Sequence, residues 1–561
     1  MGQDERGLER RRLLTTGAAV ITGAGLAAAV PERAAAAGRP GTRTVVHPAV
    51  AVTPGDQRYP DLVRGWNQRY IGTPDTVYLV RHTDQVAQIV QQAVTAGKRI
   101  TVRSGGHCWE DFVHHPDIKV IVDMSEMNKV DYDPALNAFS VEAGAQILDI
   151  YEQLYLRWGV TIPAGTCFQV GAGGHVSGGG WGLLLRKHGL VIDHLYAVEV
   201  VTVDATGTVR TVMATREATD PHRDLWWAHT GGGGGSFGIV TRYWFRSPGA
   251  TGTAPAAQLP KPPAEVLISA VSWPWAGMTE AGFKRLAQNF AEWSVAHSGA
   301  NDPNSALCAS LSLSHKSNGQ IGLFTQVDAT VPNAAQLLSD FIAAIGAGVG
   351  TQPGAATTRM GEYSAMPEMA SPRTMPWMQA TRYIGLANAT GNDPTLKGDF
   401  KSSYMRSAFP ASQLTALYHH LTRTDLGNPT GGVSLTSHGG KVNTVPAAAT
   451  ASAHRDSAFK LAWMIWWSDP AEEAGCVRWV REFYADVYSA TGGVPVPNAV
   501  TDGCYINYPD VDLSSPLHNT SQVPWHELYF KGNYPRLQTV KAAYDPLNVF
   551  RHAQSVRLPG T

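Results

Sequence analysis

At 561 residues the chain exceeds one ordinary core, and about 100 to 200 residues per domain predicts two or three. Hydrophobic residues make up 43% and charged residues 16%, and a formal net charge of −1 excludes a general attraction to nucleic acid or anionic lipid. The 57 glycines and 16 tryptophans imply many tight turns and large aromatic surfaces, features that suit a ligand with a planar body.

The first segment, LERRRLLTTGAAVITGAGLAAAVPERAAAAG, joins the cluster Arg10, Arg11, Arg12 to an apolar stretch and a small-residue end near Ala37. These are the parts of a secretory signal over residues 1–37. Arg-Arg-x-Leu-Leu before a weakly apolar run resembles a twin-arginine signal, the route of proteins exported already folded. A membrane anchor is the competing reading, but threonines and glycines interrupt the run before the roughly 20 strongly apolar residues a span needs. The mature protein is expected outside the cytoplasm, with no membrane association after signal removal.

From about residue 75, DTVYLVRH reads as a strand, TDQVAQIVQQAVTAG as a helix capped by Thr83 or Asp84 and closed by glycine, and KRITVRSGG as a strand. The alternation continues to about residue 246, so residues 45–250 read as one α/β unit. SPGATGTAPAAQLPKPPAE is a linker. Beyond it, over 256–500, VLISAVSWPW, SALCASLSLSH, GQIGLFTQVDA, GVSLTSHGG and FKLAWMIWWSD are longer strands among helices, which predicts an antiparallel sheet with helices on one side. In WMIWWSDP an unbroken strand puts Trp463 and Trp467 on one face and Trp466 on the other, so only one face can meet a substrate. Residues 501–561 form a short, turn-rich C-terminal segment. The five cysteines are odd in number and irregularly spaced, so at least one has a role other than a disulfide.

Four glycine-containing stretches stand out in the first unit: RSGGH (103–107), GAGGHVSGGGWGLL (171–184), KHGL (187–190) and HTGGGGGSFGIVT (229–241). Backbone N–H groups freed of Cβ atoms can converge on a pyrophosphate; tight turns are the plainer reading. The spacing is not the dinucleotide fingerprint, and no helix-start pattern follows GAGGHVSGGGWG. His107, Cys108, His114 and His115 lie close together but match no zinc spacing, so no metal is expected.

RSGGH and PAGTC, about sixty residues apart, resemble the paired motifs of the berberine-bridge-enzyme-like branch of the vanillyl-alcohol oxidase superfamily. The resemblance covers nearly everything after residue 37. It implies an α+β fold: a PCMH-type two-part FAD-binding domain plus a substrate domain with an antiparallel sheet flanked by helices, residues 501–561 returning to the FAD domain. It implies FAD linked covalently twice, through His107 to the flavin 8α-methyl and through Cys167 to ring carbon C6. Arg103, Ser104, Gly105 and Gly106 then lie in the cofactor loop, and Val170 falls where the family controls dioxygen access, a valine implying an oxidase. Gly171, Gly173, Gly174, His175 and Gly178 lie near the flavin, with His175 placed to stabilise charge on the reduced ring. Ile239 follows a glycine run in which Ser236 replaces the family's Asn.

In CYINYPDVDL the resemblance implies flavin contact for Tyr505 and Asn507 and a catalytic base at Tyr508. An ideal strand points Tyr508 away from Tyr505, so these roles require a twist, which Pro509 signals. A phenol with ordinary pKa near 10 serves as base only where its surroundings stabilise phenolate. Asn548 in YDPLNVF is implied as a cofactor contact, a turn or cap being the other reading, and His438 in LTSHGGKVN as a substrate contact. The implied activity is oxidation of an alcohol on a natural product or sugar-containing substrate by hydride transfer to flavin, with dioxygen reduced to hydrogen peroxide. A carbohydrate oxidase acting at the anomeric carbon and a flavin-carrying binding protein without turnover are the alternatives. The partners implied are a small-molecule alcohol or sugar and dioxygen, with no nucleic acid.

Overall fold

The computed structural model describes residues 48–561 apart from 389, 391 and 392, so the signal expected over 1–37 lies outside the described residues. The strands form three sheets, taken up in sequence order. In the first, Thr76–Leu79 and Ile100–Arg103 both run parallel to Val120–Asp123, which lies between them, and Val50–Val52 closes the edge antiparallel. The helix joining the two outer strands, Thr83–Thr95, buries Val86, Ile89, Val90 and Ala93 along one face. Its N-cap is His82 rather than Thr83 or Asp84; the Thr83 hydroxyl instead donates to Glu199 Oε1 at 2.7 Å.

Beyond residue 130 the expected α/β alternation does not hold. Val130–Asp133, Ala138–Glu142, Ile239–Phe245, Leu195–Val203 and Val209–Thr215 form a second sheet, in that order, with every pair antiparallel. Tight turns decide this. The Asp204 carboxylate accepts from the N–H groups of Thr206 and Thr208 at 2.9 and 3.0 Å and sends the chain straight back, whereas a parallel partner needs a crossover of about a dozen residues or more.

The third sheet is antiparallel throughout: Gly354–Ala355, Glu265–Pro274, Gln320–Asp328, Leu307–Ser314, Gly432–Ser437, Phe459–Trp467 and Lys397–Met405, with Arg373–Pro376 also paired to Glu265–Pro274. Alternation along Phe459–Trp467 sorts its faces. Trp463 packs under helix Glu473–Val487, its ring centroid 5.0 Å from Tyr484 and 6.1 Å from Phe483. Trp466 points the other way, 4.7 Å from Trp66 and 4.8 Å from Phe400. Each buried indole removes about 150 to 250 Å² from water, worth about 4 to 6 kcal/mol before conformational entropy is subtracted.

The C-terminal segment is tied to the glycine stretch 229–241. Lys541, in helix Tyr534–Tyr544, is fully buried and donates to Asp545 Oδ2 and to the carbonyls of Ser236 and Phe550 at 2.6, 2.7 and 2.6 Å respectively. Val556 N donates to Ser236 Oγ at 3.1 Å. The serine at 236 thus holds the chain end through both its side chain and its carbonyl, and a continuous apolar core joins the first two sheets, the third and this segment.

Candidate active site

The loop after strand Ile100–Arg103 begins with a pinned residue. Arg103 is paired with the buried Asp123, and its guanidinium also donates to the carbonyls of Leu62 and Arg64 at 2.7 and 3.0 Å. Ser104 Oγ donates to Ala143 O at 2.6 Å. Gly105 then meets Gly171 backbone to backbone: a Cβ on Gly105 would lie 2.3 Å from Gly171 N and 2.4 Å from Gln169 O. Two motifs more than sixty residues apart are thereby pressed into one wall. Gly105→Ala is expected to cost about 1 to 3 kcal/mol of stability, because rigid backbone must move to admit the methyl; urea or thermal unfolding of the purified variant checks this.

That wall faces a cleft lined also by parts of 165–183, by the glycines at 232–235, by the turn 505–509 and by Glu362 and Trp466. Arg103, Ser104, Gly105, Gly106, His107, Cys167, Val170, Gly171, Gly173, Gly174, His175, Ile239, Tyr505, Asn507 and Tyr508 all line it. GAGGHVSGGGWG does contain a helix, the single short one Ala172–Ser177. His107 stacks on Trp66, ring centroids 5.1 Å apart and planes 14° apart. Its Nε2 is buried with no hydrogen-bond partner among the described residues, and burial pulls its pKa to about 4. It is therefore a neutral imidazole with an orphaned nitrogen, an arrangement that costs roughly 1 to 3 kcal/mol unless a ligand atom meets it.

Cys167 lies in the same cleft as a protonated thiol, its pKa pushed well up first by burial and then by the carboxyl of Glu362. Glu362 Oε2 is 3.4 Å from Sγ, and Asn388 Nδ2 donates to the sulfur at 3.2 Å. All five cysteines are free thiols.

The segment Tyr505–Tyr508 is a turn, not a strand: Tyr508 N donates to Tyr505 O at 2.9 Å, which brings both rings to one side, centroids 5.2 Å apart. Tyr505 OH accepts from Gly180 N at 3.2 Å and from Asn507 Nδ2 at 3.1 Å, and Asn507 Nδ2 also reaches His175 O at 3.0 Å. Burial raises the Tyr508 phenol well above its ordinary value, and Glu362 pushes the same way. Lys460, from strand Phe459–Trp467, lies beside it. Its Nζ is buried with no hydrogen-bond partner among the described residues, 3.2 Å above the Trp181 ring, 4.6 Å from the Tyr508 ring centroid and 4.9 Å from that of Tyr505.

Three expected site residues lie outside the cleft. Gly178 sits behind Asn507, where a Cβ would fall 1.9 Å from Oδ1; its role is to make room for that side chain. Asn548 occupies a left-handed turn position, φ 51, with its N–H on Asp545 O, and the chain reaches the cleft only from Phe550 onward. His438 shares the sheet face of Lys460 but is buried against Tyr404, ring centroids 5.4 Å apart, and does not line the cleft. Sequence reasoning missed Trp66, Trp109, Glu362 and Lys460. A lone lysine inside the apolar strand FKLAWMIWW was a legible signal; Glu362, on a turn, had none.

Residues 74–213 match the FAD binding domain family and residues 504–557 the berberine and berberine-like family. The chain is 50% identical over 534 residues to an aclacinomycin-N/aclacinomycin-A oxidase of Streptomyces galilaeus, covering 95% of this chain and 93% of that protein. It is 31% identical to a hexose oxidase of Chondrus crispus, covering 89% and 93% respectively. Among solved structures, a glycopeptide hexose oxidase complexed with teicoplanin superposes with a TM-score of 0.84 at 48% identity, covering 91% of this chain and 99% of that one. With a buried unpartnered imidazole facing glycine-lined backbone, residues of the right chemistry to hold FAD are present, and the chain belongs to the berberine-bridge-enzyme-like family as an FAD-dependent oxidoreductase.

Proposed function

We propose that this enzyme is an oxidase whose flavin is bonded to both His107 and Cys167 and which oxidises a hydroxyl to a carbonyl on a sugar-bearing natural product. The observation that carries it is the convergence on one cleft of His107 Nε2, without a partner among the described residues, the Cys167 thiol and a tyrosine, Tyr508, beside Lys460, whose amine likewise has none there. A natural product carrying sugar is favoured over a free hexose because the aclacinomycin oxidase and the teicoplanin-complexed protein are 50% and 48% identical to this chain, against 31% for the hexose oxidase.

Bound flavin supplies the hydride acceptor, and dioxygen is the terminal oxidant. The chain supplies the rest. Tyr508 takes the hydroxyl proton. Burial favours the uncharged phenol and pulls the Lys460 amine well below its ordinary value, so charge appears at this pair as phenolate and ammonium together. The π faces of Trp181, Tyr505 and Tyr508 stabilise the ammonium. Trp66, Trp109 and Trp466 wall the same side with apolar surface that excludes water and offers planar stacking to a substrate. His175 is neutral, its pKa about 4 through burial and Lys460; its Nε2 accepts from Gly165 N at 3.3 Å, which leaves the proton on Nδ1 for the cofactor side.

Intact mass and peptide mapping test the cofactor claim: FAD mass is expected on peptides containing His107 and Cys167, and its absence from both defeats the reading. Peroxide release with aclacinomycin or teicoplanin, and not with free hexoses, is expected in an oxygen-coupled assay. Lys460→Met removes the amine that can take up the phenol proton as phenolate forms, so phenolate has no partner charge and the alkaline-side gain in kcat/KM is expected to move to higher pH. A profile that stays within 0.5 unit of the parent assigns the charge elsewhere. Residues 1–37 are assigned as an export signal of the twin-arginine type, supported by the Arg10-Arg11 pair and the Ala-rich run that follows; retention of the full-length precursor when Arg10 and Arg11 are both replaced by lysine checks it.

A further inference from the structure

Cys167 is half-buried where its thiol does not ionise by itself, yet the doubly bonded flavin proposed above requires it to act as a nucleophile. What surrounds it is specific. Met360 and Tyr363 exchange backbone bonds at 2.9 and 3.0 Å and close a tight turn with Glu362 near its tip. Gly361, at φ 63, is seated on the third sheet, where a Cβ would come 2.6 Å from Ser434 Oγ and 3.0 Å from Ser312 Oγ. Tyr363 stacks on Phe324, centroids 4.6 Å apart. The turn is held from two sides, so Glu362 is presented to the cleft in one position.

Its Oε2 lies 3.4 Å from Cys167 Sγ, while Asn388 Nδ2 donates to the same sulfur at 3.2 Å. A carboxylate can take the thiol proton, and an amide donor stabilises the thiolate left behind. The other ionisable groups facing Glu362 are Lys460 from the third sheet, Tyr363 from its own turn and Tyr508 from the C-terminal turn. Burial raises both groups, so what favours the transfer is the 3.4 Å contact between them and the amide donor on the sulfur.

We propose that Glu362 is the proton acceptor that activates Cys167 for bonding to the flavin, and that Asn388 holds the sulfur during the step. The inference rests on the doubly bonded flavin proposed above. In the step the S–H bond breaks and its proton passes to Glu362 Oε2. The sulfur bonds to ring carbon C6, the C6–H hydrogen leaves as a proton, and the electron pair remains on the flavin, reducing it by two electrons. Dioxygen accepts that pair with two protons, equal in number to those released from sulfur and carbon, so each link made consumes one dioxygen and yields one hydrogen peroxide.

The test uses holoprotein as purified, read by peptide mapping rather than turnover. The parent is expected to carry flavin at both residues. Glu362→Gln is expected to carry it at His107 with Cys167 still a free thiol in at least nine chains of ten. Incubated in air, that thiol should link faster as pH rises from 7 to 9.5, about tenfold per unit, because hydroxide replaces the missing carboxylate. Glu362→Asp, which sets the carboxylate back by one methylene, is expected to link at neutral pH with little pH dependence, and it serves if the glutamine variant fails to fold. Full Cys167 linkage in Glu362→Gln, or a steep pH dependence in Glu362→Asp, overturns the proposal. A parent chain with no flavin on its Cys167 peptide removes the double-bond reading itself and is seen before any variant is compared.

Discussion

Tyr508→Phe is expected to slow reduction of the bound flavin by substrate about 10²- to 10⁴-fold, the range that a positioned acid or base contributes. The change removes one oxygen from a residue packed by Lys460 on one side and by Trp109 and Phe400 on the other, ring centroids 6.3 Å away in both cases. The fold and the proposed covalent links should survive it, since among the described residues no hydrogen bond to the Tyr508 hydroxyl holds the turn together. Tyr505→Phe is the contrast. That hydroxyl accepts from Gly180 N and Asn507 Nδ2, so its loss should cost about 1 kcal/mol of stability and leave flavin reduction within roughly tenfold of the parent. Anaerobic stopped-flow absorbance at saturating substrate distinguishes them; reduction of the Tyr508→Phe flavin within threefold of the parent places the base elsewhere.

Lys401→Met is expected to destabilise the protein by about 3 to 5 kcal/mol, the cost of breaking a buried ion pair by removing one partner. Lys401 Nζ, 2% exposed, donates to both oxygens of Asp510 at 2.9 Å and to Asp512 Oδ2 at 2.7 Å. Arg481 supports Asp512 from the outside at 2.7 and 2.8 Å, but nothing else among the described residues offers Asp510 a cation within bonding distance. Burial already raises the Asp510 pKa to about 6 with the lysine in place. Without it the folded-state value climbs further above the unfolded value near 4. The folded variant then binds more protons than the unfolded chain between those two values, so its stability falls as pH rises through that window. The deficit against the parent should be largest at pH 8 and shrink toward pH 5, which urea titrations at both pH values measure. Asp510 lies two residues past Tyr508, and its N–H is held by Tyr529 OH at 3.0 Å and Gln554 Oε1 at 3.2 Å. Loosening this anchor should lower kcat at 25 °C even where the variant is still folded.

The cofactor loops were legible before any coordinates because their chemistry is local. RSGGH and PAGTC need glycine and small residues wherever two backbones touch, and Gly105 against Gly171 shows why: a methyl has nowhere to go. The face of Trp466 was legible as well, from alternation along a single strand. Sequence alone therefore determined the flavin-dependent class, the place of His107, Cys167 and Tyr508 on cleft-lining segments, and the antiparallel third sheet. Tertiary structure alone decided what those residues face. The antiparallel order of the second sheet follows from turns and from pairing between strands such as Ala138–Glu142 and Ile239–Phe245, about a hundred residues apart. Glu362 reaches Cys167 across 195 positions. Lys460 meets the Tyr505–Tyr508 turn, and His438 and Asn548 are kept out of the cleft lining, through packing that no window of sequence contains. Such contacts depend on which faces are buried together, and burial is a property of the whole folded chain.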